Sequence, residues 1–290
     1  MQKCSGNLRK LQVRIISRSS SEVFKNDATV VSSIKSEEVQ LMDEQKVKEL
    51  NRIIRECKHI VFFGGAGVST ESGIPDFRSK DGLYNQHDVK FDRYSPEYLL
   101  SIDCLIDHPD VFYEFYRQKL NTAGIEPNRT HYKLAEMEKA GKLDGIITQN
   151  IDGLHQRAGS RNVQEVHGTT YRNYCMKCHE KYPYDFIFKS EGPIPKCPKC
   201  GGMVRPDVTL YGEGLPQSAW IESKRLVFRA DCLIIGGTSL AVQPAASLAY
   251  DFSGRYLIVI NRDKTMADRN AALVFHDNIG EVMDSIVLEE

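Results

Sequence analysis

The chain has 290 residues, 41% of them hydrophobic and 27% charged, which is enough to bury one substantial core and a small satellite module. A formal net charge of -1, with both signs spread along the chain, excludes a field strong enough to hold nucleic acid without sequence readout. No apolar run approaches the roughly 20 residues of a membrane-spanning helix.

The first 36 residues stand apart. Up to Asn26 they hold Lys3, Arg9, Lys10, Arg14, Arg18 and Lys25 against the acid Glu22, among serines. This Arg- and Ser-rich composition, with Leu8, Leu11 and Ile15 able to share a helical face, is also that of an organelle transit peptide. Residues 1–36 are read as a disordered leader or extension, with a transit peptide as the alternative.

From Asp43 the pattern turns periodic. Val47, Leu50, Ile53, Ile54 and Cys57 recur at helical spacing, so an amphipathic helix feeds a strand at Ile60 to Phe63. Short apolar runs follow at Gly145 to Thr148, Val163 to Val166, Cys232 to Ile235, Tyr256 to Ile260 and Leu273 to Phe275. Runs this short and this apolar suit a parallel sheet covered on both faces. Helical segments at Thr130 to Ala140 and Gln217 to Phe228 separate several of them. The rhythm predicts an α/β fold with a doubly wound, Rossmann-like parallel sheet.

Two stretches break that rhythm. Residues 81–128 offer helix starts at Ser95-Pro96 and His108-Pro109, where proline suits the first turn, and predict a helical insertion. In it Tyr113, Phe115 and Tyr116 form a stripe expected to be buried. Residues 171–205 carry two C-x-x-C pairs, Cys175/Cys178 and Cys197/Cys200, separated by 18 residues. Four thiolates at this spacing predict a tetrahedral structural zinc site with no open position. That stretch is too poor in apolar residues for a core of its own, so the metal must hold it together. The other four cysteines are scattered, which favours a reducing compartment over a disulfide framework.

The glycine-rich run Val61 to Arg78, VFFGGAGVSTESGIPDFR, leads from a strand into the kind of turn whose backbone cradles phosphate. It lacks the third glycine of the dinucleotide fingerprint, and no acid at a strand end follows about 20 residues on. Three other segments end predicted strands: Thr148 to His155 (TQNIDGLH), Glu165 to Gly168 (EVHG) and Gly236 to Leu240 (GGTSL). In a doubly wound sheet these strand ends face one crevice.

With RPDVTLYGE at Arg205 to Glu213, GTSLAVQP and VIN, these segments occur in the order found in sirtuins, and the chain resembles that family across about residues 40–288. The resemblance implies an NAD-dependent protein lysine deacylase that moves an acyl group from lysine to ADP-ribose and releases nicotinamide. By position, Gly65, Ala66, Gly67 and Ser69 would embrace the NAD phosphates, with Arg78 near them and Phe77 over the ribose. Gln149, Asn150, Ile151 and Asp152 would form the ribose and nicotinamide pocket. Gly237, Thr238, Ser239 and Asn261 would meet the phosphate and adenosine end. His167 is the implied general base, since a neutral imidazole accepts a proton near neutral pH, and Asn150 and Asp152 complete the catalytic set.

The resemblance further implies an acyl-lysine protein or peptide bound as an added strand near Gly212, Glu213 and Val242. Relatives that prefer acidic acyl groups carry tyrosine and arginine three apart; the matching pair here is Tyr116 and Lys119, whose lysine lacks the bidentate fork suited to a carboxylate. Acetyl preference over succinyl is therefore expected. No direct nucleic acid or membrane partner is expected, and the location is read as cytoplasmic, or mitochondrial if the leader is a transit peptide. Rival readings of the site are a protein mono-ADP-ribosyltransferase and a weak NAD sensor.

Overall fold

The computed structural model describes residues 43–80, 82–86 and 88–288; the predicted leader lies outside them. Asp43 opens the fold by capping α1 (Glu44–Glu56), its carboxylate accepting from the amides of Gln45 and Lys46. In chain order there follow β1 (Ile60–Gly64), α2 (Pro96–Leu99), α3 (Ile102–Asp107), α4 (Pro109–Lys119), α5 (Arg129–Lys139), β2 (Leu143–Thr148), α6 (Leu154–Arg157) and β3 (Val163–Glu165). The chain continues through β4 (Gly168–Cys175), β5 (Lys181–Pro183), α7 (Asp185–Lys189), β6 (Val204–Val208), α8 (Gln217–Arg229), β7 (Cys232–Gly236), α9 (Ser247–Tyr250), β8 (Tyr256–Ile260), β9 (Leu273–Phe275) and α10 (Ile279–Asp284).

Six strands form one parallel sheet in the order β3-β2-β1-β7-β8-β9. The strand alternation sorts the core into two layers. Ile60 and Phe62 of β1 pack with α1, α5 and α10 residues such as Leu50, Leu134 and Val282 on one face. Val61 and Phe63 pack with Val227, Ala246 and Leu248 from the α8 and α9 side on the other. Since both faces are covered, every residue of β1, β7 and β8 is buried, and the strands read as apolar runs. Burying one such Phe or Ile side chain stabilises the fold by about 1.5–3 kcal/mol.

Strand order reverses between β1 and β7, whose register runs from Ile60 opposite Cys232 to Gly64 opposite Gly236. That reversal opens a crevice beyond the strand ends.

A second, antiparallel sheet, β5-β4-β6, was not foreseen in the sequence. Its strand β4 ends at Cys175, and side-chain bonds tie its surroundings to α4. Tyr113 of α4 donates its hydroxyl to the Val204 carbonyl at 2.7 Å, and the Arg117 guanidinium bonds the carbonyls of Ile187, Gly192 and Pro193. Phe112, Tyr113 and Tyr116 are fully buried there with Ile187, Val208 and Leu210.

Candidate functional site

At the reversal point two glycine turns lie back to back. Gly65 donates to the Gly236 carbonyl at 3.2 Å and Gly67 to the Gly237 carbonyl at 2.8 Å. A Cβ on Gly67 would fall 2.8 Å from the Gly237 Cα, and Gly237, at φ +58°, has no room for one at all. The chain spends its glycines on this approach, and the short 3-10 turn Ala66–Val68 continues from it. Asn128, the N-cap of α5, reaches across to the turn, donating to the Val68 carbonyl at 2.8 Å and to the Ser72 hydroxyl at 3.1 Å.

The loop after β2 supplies a linked polar set. The buried Ser69 hydroxyl donates to Asp152 at 2.7 Å and accepts from the Asn150 amide at 3.0 Å. Asp152 is buried, and burial pushes its carboxyl up from the usual range, against the opposing bonds from the Leu154 amide, Ser69 and Asn150. The Gln149 side chain donates to the Thr238 hydroxyl at 3.0 Å, tying the β2 loop to the β7 loop. Ile151 turns its carbonyl to the amide and hydroxyl of Thr170.

His167 sits between β3 and β4 with Nδ1 3.0 Å from the Gln149 carbonyl. A carbonyl only accepts, so Nδ1 carries the proton and Nε2 keeps its lone pair free. Burial lowers the pKa of this imidazole, partly opposed by the Gln149 carbonyl, so the ring is neutral at pH 7.

The structure therefore draws Gly65, Gly67, Ser69, Gln149, Asn150, Asp152, His167, Gly237 and Thr238 into one hydrogen-bonded crevice. Ala66 lies in its turn, and Ser239 is exposed on its rim. Asn261 follows β8, its side chain donating to the Asp263 carbonyl at 2.7 Å. Phe77 packs edge-on against Tyr84, ring centroids 5.4 Å apart, and the Arg78 guanidinium bonds the Tyr211 hydroxyl at 3.0 Å. Ser69 thus uses its hydroxyl on Asp152 and Asn150, a connection with no local signal in the chain. Nor was Asn128 foreseen, although a capping residue just ahead of a predicted helix is the signal that would find it.

The four cysteine sulfurs lie within 4.8 Å of one another, with Cys175 to Cys200 at 3.5 Å and Cys178 to Cys197 at 3.7 Å. Sulfurs on a zinc ion at about 2.3 Å in tetrahedral array would be about 3.8 Å apart. The set therefore fits one structural zinc ion. Tyr182 adds a hydroxyl 2.9 Å from the Cys197 sulfur.

In α4, the fully buried Tyr116 ring stacks on Phe112 and Phe188, and its hydroxyl has no hydrogen-bond partner among the described residues. The Lys119 ammonium meets the Gln86 amide oxygen at 3.3 Å and lies 4.0 Å from Asp88. Arg205, buried, forms a bidentate pair with Glu213 at 2.6 and 2.8 Å and also bonds the Val208 carbonyl. Burial alone would raise the Glu213 carboxyl; Arg205 and the Leu210 amide outweigh it and hold it below the usual range.

A glycine cradle at the reversal point of a doubly wound sheet, with a neutral histidine bonded to the neighbouring β2 loop, defines a dinucleotide-using enzyme with a structural metal module. The Sir2 family model matches residues 65–244. An NAD-dependent protein deacetylase of Clostridium acetobutylicum is 52% identical over 242 residues, covering 83% of this chain and 98% of that one. A Sir2 structure described with a deacetylated p53 peptide and 3'-O-acetyl ADP-ribose superposes with a TM-score of 0.77 at 36% identity, covering 82% of this chain and 96% of that one. A second, described as Sir2 with p53 peptide and NAD+, gives 0.74 at 37% identity, covering 82% and 95%. The chain belongs to the Sir2 family.

Proposed function

We propose that this protein is an NAD-dependent protein lysine deacetylase and that the crevice at the β1/β7 reversal is its active site. The observation that carries the reading is the His167 ring, fixed with Nδ1 on the Gln149 carbonyl of the same loop that carries Asn150 and Asp152, so that Nε2 is left as an acceptor. The relatives' description as NAD-dependent deacetylases, and the NAD+ and acetyl ADP-ribose held by Sir2 neighbours, support it.

The glycine turns and Thr238 would take the dinucleotide phosphates through backbone amides, with Arg78 alongside, Phe77 over the ribose, and Ser239 and Asn261 toward the adenosine. Gln149, Asn150, Ile151 and Asp152 would hold the nicotinamide ribose. Burial pushes the Asp152 carboxyl up, and a cationic nicotinamide beside it would draw it back toward the charged form. The acyl oxygen attacks the ribose carbon, the carbon–nitrogen bond to nicotinamide breaks, and nicotinamide leaves with the electron pair. His167 Nε2 then accepts the proton of a ribose hydroxyl as that oxygen attacks the resulting imidate carbon. Collapse expels the lysine amine, which takes up the proton held by His167, and water then adds to the remaining acyl carbon and loses a proton to release O-acetyl ADP-ribose.

An acyl-lysine peptide would add as a strand at the exposed turn of Gly212, which the Arg205–Glu213 pair braces, with Val242 opposite. The packing of Tyr116 among uncharged residues and the engagement of Lys119 with Gln86 and Asp88 favour acetyl over succinyl. Comparable turnover of acetylated and succinylated copies of one peptide would defeat that preference. We place the protein in the cytoplasm, with a mitochondrial location if residues 1–36 act as a transit peptide.

One incubation with NAD and acetylated peptide tests the activity. Deacetylation releases nicotinamide and O-acetyl ADP-ribose, transfer leaves ADP-ribose mass on protein, and a sensor consumes nothing. His167→Tyr is expected to abolish turnover and retain NAD binding; undiminished activity would overturn the assignment.

A further inference from the structure

The loop that carries Arg78 and the turn proposed to receive peptide are joined by one side chain. Tyr211 lies next to Gly212, and its backbone is fixed to the inserted helices: its amide donates to the Leu100 carbonyl and its carbonyl accepts from the Ile102 amide, both at 3.0 Å. The side chain then leaves that anchored backbone for the glycine-rich loop. Its hydroxyl accepts from Arg78 Nη2 at 3.0 Å and lies 3.2 Å from the Tyr84 hydroxyl.

Tyr84 closes the arrangement. Its ring sits 5.4 Å under the Arg78 guanidinium and edge-on to Phe77, and its amide donates to the Phe77 carbonyl at 2.9 Å. Burial, then the Tyr211 hydroxyl, pushes the Tyr84 phenol well above its ordinary range, so it stays an intact O–H donor at neutral pH. An exposed arginine has many rotamers and loses their entropy when it binds an anion. Here a hydroxyl at one end and a ring face beneath already restrict it.

We infer that Tyr211 is a positioning residue: through its hydroxyl it holds Arg78 toward the dinucleotide diphosphate and couples the peptide-side turn to the cofactor loop. This rests on the deacetylase reading of the crevice. Phenylalanine at position 211 would keep the ring, the backbone bridge to the inserted helices and the packing, and would remove only the link to Arg78 and Tyr84. Ordering the Gly212 turn with a bound peptide would then no longer favour the arginine pose.

The test uses the full chain. NAD dissociation constants are measured by calorimetry with and without an acetylated peptide, alongside nicotinamide release and thermal midpoints, for the wild type, Tyr211→Phe, Tyr84→Phe and Arg78→Ala. Tyr211→Phe is expected to weaken NAD binding about five- to tenfold, the cost of about one charge-assisted hydrogen bond, to shrink the difference between the NAD constants with and without peptide, and to leave the midpoint unchanged. Tyr84→Phe, which keeps the Tyr211–Arg78 bond, should weaken NAD about twofold. In an Arg78→Ala background Tyr211→Phe should add nothing further. Unchanged NAD affinity in Tyr211→Phe, an effect that persists without Arg78, or a parallel shift of both substrates with a lowered midpoint would overturn the inference. A wild type that binds NAD and releases no nicotinamide would refute the deacetylase reading instead, while the calorimetric comparison still decides the role of Tyr211.

Discussion

Replacing Gly237 with alanine tests whether backbone contact builds the cofactor crevice. At φ +58° an L side chain costs about 1–2 kcal/mol. The added Cβ would also lie 2.5 Å from the Val68 amide nitrogen and 2.6 Å from the Gly67 carbonyl carbon, and forcing such backbone apart costs about 1–3 kcal/mol more. Alanine recovers about 0.4–1 kcal/mol through the unfolded chain. The net loss is about 3 kcal/mol, which for a domain of this size lowers the thermal midpoint by about 9 °C. Gly73→Ala is the control, because Gly73 also has a positive φ, +88°, and an added Cβ would meet nothing within 4 Å. It should lose about 1 kcal/mol or less. Calorimetric unfolding and NAD titration read both variants, and Gly237→Ala should also weaken NAD by more than about tenfold as the turns separate. Equal midpoints for the two variants, with NAD binding intact, would refute the close-approach argument.

Acid should loosen the fold through two buried imidazoles. His131 and His155 lie with ring centroids 4.7 Å apart, and burial holds His131 down at about 4 and His155 well below its ordinary value. An unfolded imidazole titrates near about 6.5, so stability is complete above that pH and declines as pH falls toward 4. His131 alone should take about 2 kcal/mol from stability between pH 7 and pH 5, and urea midpoints that show no more slope in the wild type than in His131→Gln would contradict this. Catalysis should show its own acid limb. Because the His167 pKa is lowered, kcat should hold its plateau down through the ordinary imidazole range and fall only at lower pH, and a limb centred above pH 7 would rule out a neutral buried base. At the cysteine cluster, Cys197→Ser should cost the single zinc ion measured by metal analysis. Tyr182→Phe removes the hydroxyl beside Cys197 and should weaken zinc retention against a metallochromic chelator about tenfold, with NAD affinity unchanged; identical release would show the bond to be idle.

The central strands were legible because burial on both faces leaves no polar position for a register error to hide in, and Ile60 to Phe63 and Tyr256 to Ile260 announce themselves as apolar runs. The capping serine at Ser95, whose side chain accepts from the Tyr98 amide, marked its helix correctly. The small sheet escaped notice for the opposite reason. β4 reads GTTYRNYC, its burial is uneven, and its pairing with β6 is interrupted between Thr169 and Asn173, so no period of two survives in the sequence. In the crevice, residue types with a strong chemical signature were readable in order, whereas their mutual contacts were not. Ser69 meets Asp152, and Arg78 meets Tyr211, across separations that local pattern does not encode.

Tyr113 bonds the Val204 carbonyl of β6 and Arg117 the Ile187 carbonyl of α7, so α4 is tied directly to the segment that carries the cysteines. Oxidation of the thiolates would therefore not stay local. Tyr116 of α4 stacks on Phe188 of α7, between the two cysteine pairs, so a redox insult at the thiolates would register first as loosened packing around Tyr116.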